Sequence, residues 1–262
     1  MEDIFSSIWA EGLKVRKSKI LWMSILFFLF MPFMVGVLIF VVKNPEFASK
    51  LGMVGTKAAM LRFGNPDWTT YFGLLNQMIA GVGLVGFGIV TSWTFGREYS
   101  DRTLKDLLSL PVSRSFIVLS KFIVIVIWCV SLSFILFAFG LLVGDMIQLS
   151  GWSSEIAFHS AYIFFMTSFL TILLCTPTAF FASYGRGFLP PIGFMILTLI
   201  IAQFVGLVNL APYFPWAIPM LFIEATGAES VQLGVVSYII LFLTSVLGLI
   251  VTLAWWLYAD QS

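Results

Sequence analysis

Six long runs of apolar residues limit what this chain can fold into more strictly than any other feature of its sequence. They cover residues 20–42, 72–95, 115–143, 157–183, 189–210 and 233–258. A helix needs about 20 apolar residues to cross the roughly 30 Å hydrocarbon core of a bilayer. The runs are continuous rather than alternating, which favours helices over the strands of a barrel. The sequence therefore predicts an all-α polytopic membrane protein, with six transmembrane helices in one domain over residues 1–262.

Composition excludes several other classes of protein. Hydrophobic residues make up 60% of the chain and charged residues only 10%, whereas soluble domains contain about 45–50% and about 25%. A soluble enzyme of this size has no interior large enough for so much apolar surface. The net charge of +1 gives no basis for a nucleic-acid partner. Cys129 and Cys175 both lie inside apolar runs, so we expect packing residues rather than a disulfide, and we expect no metal or cofactor on this chain.

The distribution of lysine and arginine predicts the orientation in the membrane. Six crossings place both termini on one side, and that side carries Lys14, Arg16, Lys17, Lys19, Arg97, Arg102, Lys105, Arg114, Lys121 and Arg186. The other side carries Lys43, Lys50, Lys57 and Arg62. Because basic residues near the ends of spans are retained on the cytoplasmic side, both termini are predicted to be cytoplasmic.

The first 19 residues are predicted to form an interfacial helix. Ile4, Phe5, Ile8, Trp9 and Leu13 recur at helical spacing. The other face and the following turn carry charged residues, which suit the cytoplasmic headgroup region. Two roles remain open for this helix: a membrane anchor, or an elbow that docks a partner and moves with it. Similarly, the proline- and aromatic-rich segment 211–223 is predicted to be either an interfacial anchor or a lid.

The most informative segment lies between the second and third runs, over residues 95–121. Leu104, Leu107 and Leu108 stand at positions i, i+3 and i+4, which gives a short helix one apolar face. Pro111 ends this helix, and Ser113 is placed to cap the next span. Lys121 lies about two turns into the third run, and we expect its side chain to extend outward to the interface.

This segment resembles the permease subunits of type 2 ATP-binding-cassette (ABC-2) exporters. The resemblance rests on a motif that in this chain consists of Glu98, Thr103-Leu104, Leu107-Leu108 and Pro111-Val112-Ser113-Arg114. It extends to the topology, with an N-terminal elbow, six spans and a coupling helix after the second span. One departure is Arg102, because the family often has glycine just before the threonine.

The resemblance implies that the short helix is a coupling helix, which sits in a groove of a separate ATP-hydrolysing subunit. Two permeases, identical or merely related, and two ATPases would form the complex, and ATP and magnesium would bind to the ATPases. The groove would be filled by Leu104, Leu107 and Leu108. The polar contacts around it would come from Glu98, Arg102, Asp106 and Arg114.

The chain itself contains no Gly-Lys dipeptide and hence no P-loop, so it is not expected to be an enzyme. The predicted function is export of an amphiphilic or hydrophobic substrate, such as a peptide antibiotic, drug or lipid, across a bacterial cell membrane. An ion-coupled secondary transporter and a membrane accessory or maturation subunit are the alternatives. Ion coupling normally uses ionisable groups at membrane depth, whereas Asp145, Glu155 and His159 all lie near the ends of predicted spans.

Overall fold

The computed structural model describes residues 2–44, 46, 65–109, 112–226 and 233–259, although not the side chains of residues 2, 3, 105 and 108. Within these ranges the chain is helical, and its only β-type pairing is one bridge between Asp67 and Ser150. The helices in chain order are α1 (Glu2–Arg16), α2 (Lys19–Lys43), α3 (Trp68–Ser100), α4 (Leu104–Leu108), α5 (Arg114–Met146), α6 (Ser154–Leu173), α7 (Thr176–Tyr184), α8 (Leu189–Leu207), α9 (Ile218–Thr226) and α10 (Val235–Tyr258).

Among the described residues, six helical segments are long and apolar enough to cross a membrane, as the sequence predicts. They are α2, α3, α5, the pair α6 and α7 taken together (Ser154–Tyr184), α8 and α10. Helices α3 and α5 are longer than the predicted runs 72–95 and 115–143, because polar residues outside the apolar runs continue the helices beyond the hydrocarbon layer. Each has 33 residues and spans about 50 Å at 1.5 Å per residue.

The outer surface of the bundle is apolar, which identifies lipid as its solvent. Large side chains on α8 and α10 are exposed, among them Leu197, Phe204 and Phe242. In water, a continuous apolar surface of this kind would be an aggregation site. Aromatic rings fill much of the interior, and the fully buried side chains include Phe28, Phe87 and Trp256.

Short polar side chains begin three of the spans. Asp67 caps α3 by accepting a hydrogen bond from the backbone N–H of Thr70 at 2.8 Å. Ser113 caps α5, as predicted, and Ser153 caps α6. Each cap satisfies an N–H group that has no acceptor within its own helix.

The fourth span, predicted as one run over 157–183, is broken between α6 and α7. Pro177 stands in the first turn of α7 and has no N–H to continue the hydrogen-bond ladder of α6. The hydroxyl of Thr176 donates to the carbonyl oxygens of Leu173 and, across the bundle, of Ser245 in α10. Helix α7 therefore packs closely along α10.

The two ends of the bundle differ in the helix ends that meet there and in the hydrogen bonds between them. One end, here called the α4 end, brings together α1, the C-terminal end of α3, α4, the N-terminal end of α5 and the C-terminal end of α10. Its cross-links include Lys14 to Glu98 and Arg114 to the carbonyl oxygen of Trp256. At the opposite end, Lys43 donates to the carbonyl oxygens of Ile147 and Gln148.

The proline-rich segment 211–223 folds back onto the bundle at the opposite end. Two 3₁₀ turns, Ala211–Tyr213 and Pro215–Ala217, lead into α9, which packs against α6. Trp216 meets Phe194 of α8 with ring centroids 5.4 Å apart. The segment is thus held by aromatic contacts to two spans.

Candidate functional site

Helix α3 ends in a tight turn that directs the chain into α4. The N–H of Thr103 donates to the carbonyl oxygen of Glu98 at 3.1 Å, and the N–H of Arg102 donates to that of Tyr99 at 3.3 Å. This pair of bonds is the Schellman motif, which terminates a helix when one residue adopts the left-handed backbone conformation. Here that residue is Arg102, with φ of 58°.

Glycine, which the motif's family often has at this position, is the residue that this backbone conformation favours. An arginine in this conformation is strained, because the arginine Cβ crowds the backbone, whereas glycine has no Cβ. The turn nevertheless forms with Arg102, since both Schellman hydrogen bonds are present.

We expect Arg102→Gly to stabilise the purified protein by about 1 kcal/mol, because it relieves the strained backbone. The matched control is Arg102→Ala, which removes the same exposed charge and keeps the Cβ. A higher thermal unfolding midpoint for glycine than for alanine measures the backbone effect alone. Equal midpoints for the two variants would show that position 102 carries no strain.

A side-chain bond reinforces the same turn. The hydroxyl of Thr103 donates to Oε2 of Glu98 at 2.7 Å. The N–H of Leu107 donates to the carbonyl oxygen of Thr103 at 3.0 Å, so the first turn of α4 begins on the residue that is bonded to Glu98. The position of α4 therefore depends directly on the last turn of α3.

Glu98 is also the centre of an ion cluster that joins three helices. Its Oε1 accepts from Nζ of Lys14 on α1 at 2.8 Å and from Nζ of Lys121 on α5 at 3.1 Å. Lys121 further donates to Oε2 of Glu11 and to the carbonyl oxygen of Thr94, both at 3.1 Å. Lys14 completes the cluster with Glu11 at 2.6 Å.

The cluster is buried and its charges balance. The side chain of Lys121 is 0% exposed, and those of Glu98 and Glu11 are 3% and 7% exposed. Two ammonium groups oppose two carboxylates, which is the condition under which charges can leave water without a large penalty. Burial alone would lower the pKa of Lys14, but the carboxylates of Glu11 and Glu98 overcome this and raise it. Lys14 therefore stays charged at neutral pH.

The sequence pattern alone does not predict this ion cluster. The expectation that Lys121 extends outward to the interface is wrong, because its side chain is fully buried and ends on Glu11 and Glu98. The available signal was a lysine inside an apolar run, which needs a counter-charge from a neighbouring helix.

The structure separates the predicted coupling residues into two groups. Arg102 and Asp106 are exposed at the surface of the α4 end, and Leu107 is half-buried. Leu104 is 7% exposed and belongs to the chain's own core, while Glu98 is turned inward to the ion cluster. The side chain of Leu108 lies outside the described residues.

Arg114, predicted as a contact for a partner, has contacts within the chain. Its Nη1 donates to the carbonyl oxygen of Trp256 at 3.3 Å and approaches that of Leu257 at 3.5 Å. These carbonyls belong to the last turn of α10, where a cation is favourable. Arg114 thus joins the start of α5 to the end of α10.

The polar groups of the site make contacts between helices. Within the described residues, no group of three histidine, cysteine or acidic side chains is placed to hold a metal ion. The buried charged groups of the site are paired and connect α1, α3 and α5, and the Thr103–Glu98 hydrogen bond connects them to α4. The arrangement fixes a short exposed helix to the ends of several spans.

In the part of the chain that the structure describes, six helical segments long and apolar enough to cross a bilayer carry an exposed short helix at one end, which is the architecture of a multi-pass membrane protein. The family profile of the ABC-2 family transporter proteins matches residues 7–206. The chain is also 30% identical, over 175 residues, to the bacitracin transport permease protein BCRB of Bacillus licheniformis; the match covers 66% of this chain and 83% of that protein. The chain belongs to the ABC-2 transporter family and is a permease of that type.

Membership of this family indicates the kind of partner that this chain has and the kind of transporter to which it belongs. Permeases of ABC transporters are membrane subunits, and they imply an ATP-binding partner. The family favours an ABC permease over an ion-coupled secondary transporter. In agreement, every charged side chain of the described spans lies near an end of its helix, as Lys121, Asp145 and Glu155 show.

Proposed function

We propose that this chain is the membrane subunit of an ATP-driven exporter in the bacterial cell membrane, with both termini in the cytoplasm. Helix α4 is its coupling helix and docks on a separate ATPase subunit that binds ATP and magnesium. The basic residues near the α4 end support this orientation through the positive-inside rule. Helix α1 then lies in the cytoplasmic interface with its basic C-terminal turn among the headgroups.

One observation carries the proposal: α4 is exposed on one side and is rigidly attached on the other. The exposed side presents Asp106, and the attached side buries Leu104. The Schellman turn and the Thr103–Glu98 bond connect α4 to α3, and the ion cluster extends that connection to α1 and α5. A displacement of α4 would therefore be transmitted to α1, α3 and α5.

The residues that contact the ATPase are proposed from this geometry. The exposed Arg102 and Asp106 would form polar contacts with the partner, and Leu107 and Leu108 would supply the apolar part. Leu104, Glu98 and Arg114 hold α4 and its neighbours in position and make no such contact in this proposal. The resemblance to ABC-2 permeases supports the docking role of α4, and the burial pattern supports this division of labour.

A second permease, identical or related, completes the membrane part of the exporter. Helix α8 is the least buried span, with 17% of its most apolar window inside the bundle, against 56% for α3. It also carries Gly193 and Gly206, which have open space where a Cβ would be. Small residues on an exposed face let a neighbouring helix approach closely in a membrane.

The cargo is proposed to be amphiphilic or hydrophobic, and a peptide antibiotic is the first choice. The relative BCRB is named for bacitracin transport, and the charges of the described spans stay near the helix ends. The reconstituted exporter should show higher ATPase activity with bacitracin. Stimulation by a small hydrophilic ion, without response to any amphiphile, would contradict this cargo class.

The proposed function is tested by purifying the chain from its native membrane in mild detergent and identifying the chains that accompany it. We expect a subunit with a P-loop in near-equal amount. Two differently tagged copies of this chain, expressed together, should also co-purify if the exporter contains two identical permeases. A chain that is reproducibly recovered without an ATPase would contradict the proposal.

The docking surface is tested by reversing one charge on α4. Asp106→Lys should reduce recovery of the ATPase by at least about 10-fold, because it would bring like charges together in a polar contact. The matched control is Asp145→Lys, an equally exposed acid at the opposite end. Equal recovery with both variants would remove α4 as the docking site, even if an ATPase is found.

A further inference from the structure

A second charged feature of the α4 end is an open cavity of about 640 Å³ beside the ion cluster. It lies between α1, the last turns of α3 and the residue that precedes α8. Its charged lining residues are Lys14, Lys17, Arg97 and Asp101. Lys14 belongs to the balanced ion cluster and Arg97 is paired with Asp101, so Lys17 gives the cavity an excess of one positive charge.

Donor groups for an anion remain available in this cavity. Asp101 accepts from Nε of Arg97 at 3.2 Å, which leaves the terminal guanidinium N–H groups unused among the described contacts. Lys14 uses two of its three N–H donors on Glu11 and Glu98. Lys17 is exposed and forms no ion pair with any described residue. Arginine and lysine together are the residues that bind phosphate groups.

The opposite wall of the cavity is apolar and aromatic. Trp93 lies one turn below Arg97, and the guanidinium carbon of Arg97 stands 5.1 Å from the centre of its ring. Phe188 forms another part of the lining. The tryptophan ring holds the guanidinium in place by a cation–π contact and continues the cavity toward the hydrocarbon layer.

The depth of the cavity matches that of lipid headgroups. Arg97 is in the last turn of a helix that is longer than the hydrocarbon core is thick, and Lys17 lies in the turn between α1 and α2. Basic pockets between the cytoplasmic ends of membrane helices are typical sites for anionic lipid headgroups. A soluble anion would gain nothing from the aromatic wall.

We propose that this cavity binds the phosphate headgroup of an anionic phospholipid from the cytoplasmic leaflet. Lys17 and the terminal N–H groups of Arg97 bind the phosphate, the remaining N–H of Lys14 is a further donor, and the acyl chains lie along Trp93. The site rests on the membrane orientation given under the proposed function, and it is separate from the docking surface of α4. The lipid would connect α1 to the end of α3 beside the ion cluster.

The test is a titration of the full-length chain in detergent with phosphatidylglycerol, with the bound lipid counted by native mass spectrometry. Loss of one surface cation should weaken the first lipid-binding event about 5-fold for Lys17→Gln, and roughly 20-fold for Lys17→Gln with Arg97→Gln. The matched control is Lys19→Gln, which removes an exposed charge two residues away that does not line the cavity. It should retain the lipid as the unmodified chain does.

Three results would overturn the site. The first is equal retention of phosphatidylglycerol and phosphatidylcholine, and the second is equal weakening of lipid binding by Lys19→Gln and Lys17→Gln. The third is displacement of the lipid by millimolar inorganic phosphate, which would assign the cavity to a free anion. Lys17→Gln alone keeps the test valid if Arg97→Gln lowers the thermal midpoint. If the chain gives one of these three results but still co-purifies with its ATPase, the lipid site is contradicted and the proposed function is not affected.

Discussion

Replacement of Lys121 by methionine is expected to destabilise the protein by about 3–5 kcal/mol, the usual effect of removing one partner from a buried ion pair. The methionine fills a similar volume but leaves the carboxylates of Glu11 and Glu98 with one ammonium, that of Lys14. The excess negative charge is carried by Glu11 and Glu98, whose side chains are almost fully buried. The thermal unfolding midpoint in detergent should fall sharply, and recovery of the ATPase should fall with it.

A second substitution separates charge balance from packing. Lys121→Met combined with Glu11→Gln restores one ammonium to one carboxylate, because Glu98 and Lys14 remain paired at 2.8 Å. Residues of one network are coupled, so the double variant should be more stable than Lys121→Met alone. If both single and double variants unfold at the midpoint of the unmodified chain, the cluster does not contribute to stability.

Gly248→Ala is expected to cost about 1–3 kcal/mol, the range found for overpacked interiors. A Cβ at this position on α10 would stand 2.5 Å from the backbone nitrogen of Pro177 and 2.8 Å from the carbonyl carbon of Thr176. These are backbone atoms, so α7 itself would have to move away from α10. The hydrogen bond from Thr176 to Ser245 would be lost in the same displacement.

The matched control for this prediction is Gly81→Ala in α3, where a Cβ would have no neighbour within 4 Å. Alanine is the better helix former, so this variant should be at least as stable as the unmodified chain. Thermal unfolding of both variants in the same detergent gives the comparison. Equal midpoints for Gly248→Ala and Gly81→Ala would mean that α7 and α10 are not in close contact.

The spans could be predicted from the sequence because a bilayer imposes one simple condition, a helix of sufficient apolar length. Ser113 was found as a cap for an equally local reason, since the acceptor and the N–H group are three residues apart. The break at Pro177 was not predicted, although the proline was visible. Transmembrane helices tolerate proline when a neighbour satisfies the freed groups, and here that neighbour is α10.

Only those features of the candidate site that depend on neighbouring residues in the sequence were predicted. A short helix at Leu104–Leu108 follows from spacing, and the structure contains it. The direction of its side chains does not follow, because Leu104 faces the chain's own core for reasons of tertiary packing. Apart from the local pair of Glu11 and Lys14, the ion cluster joins residues that are 23 to 110 positions apart. Such pairs depend on how the spans assemble, which no local pattern contains.

The order of the cluster residues along the chain has a consequence for biogenesis. A lysine in a membrane span opposes insertion by about 3 kcal/mol or less when it lies away from the centre. Synthesis proceeds from the N-terminus, so Glu11 and Glu98 have already left the ribosome when Lys121 emerges. Both counter-charges are therefore present at the translocation site, and the third span can enter the bilayer with its lysine already neutralised.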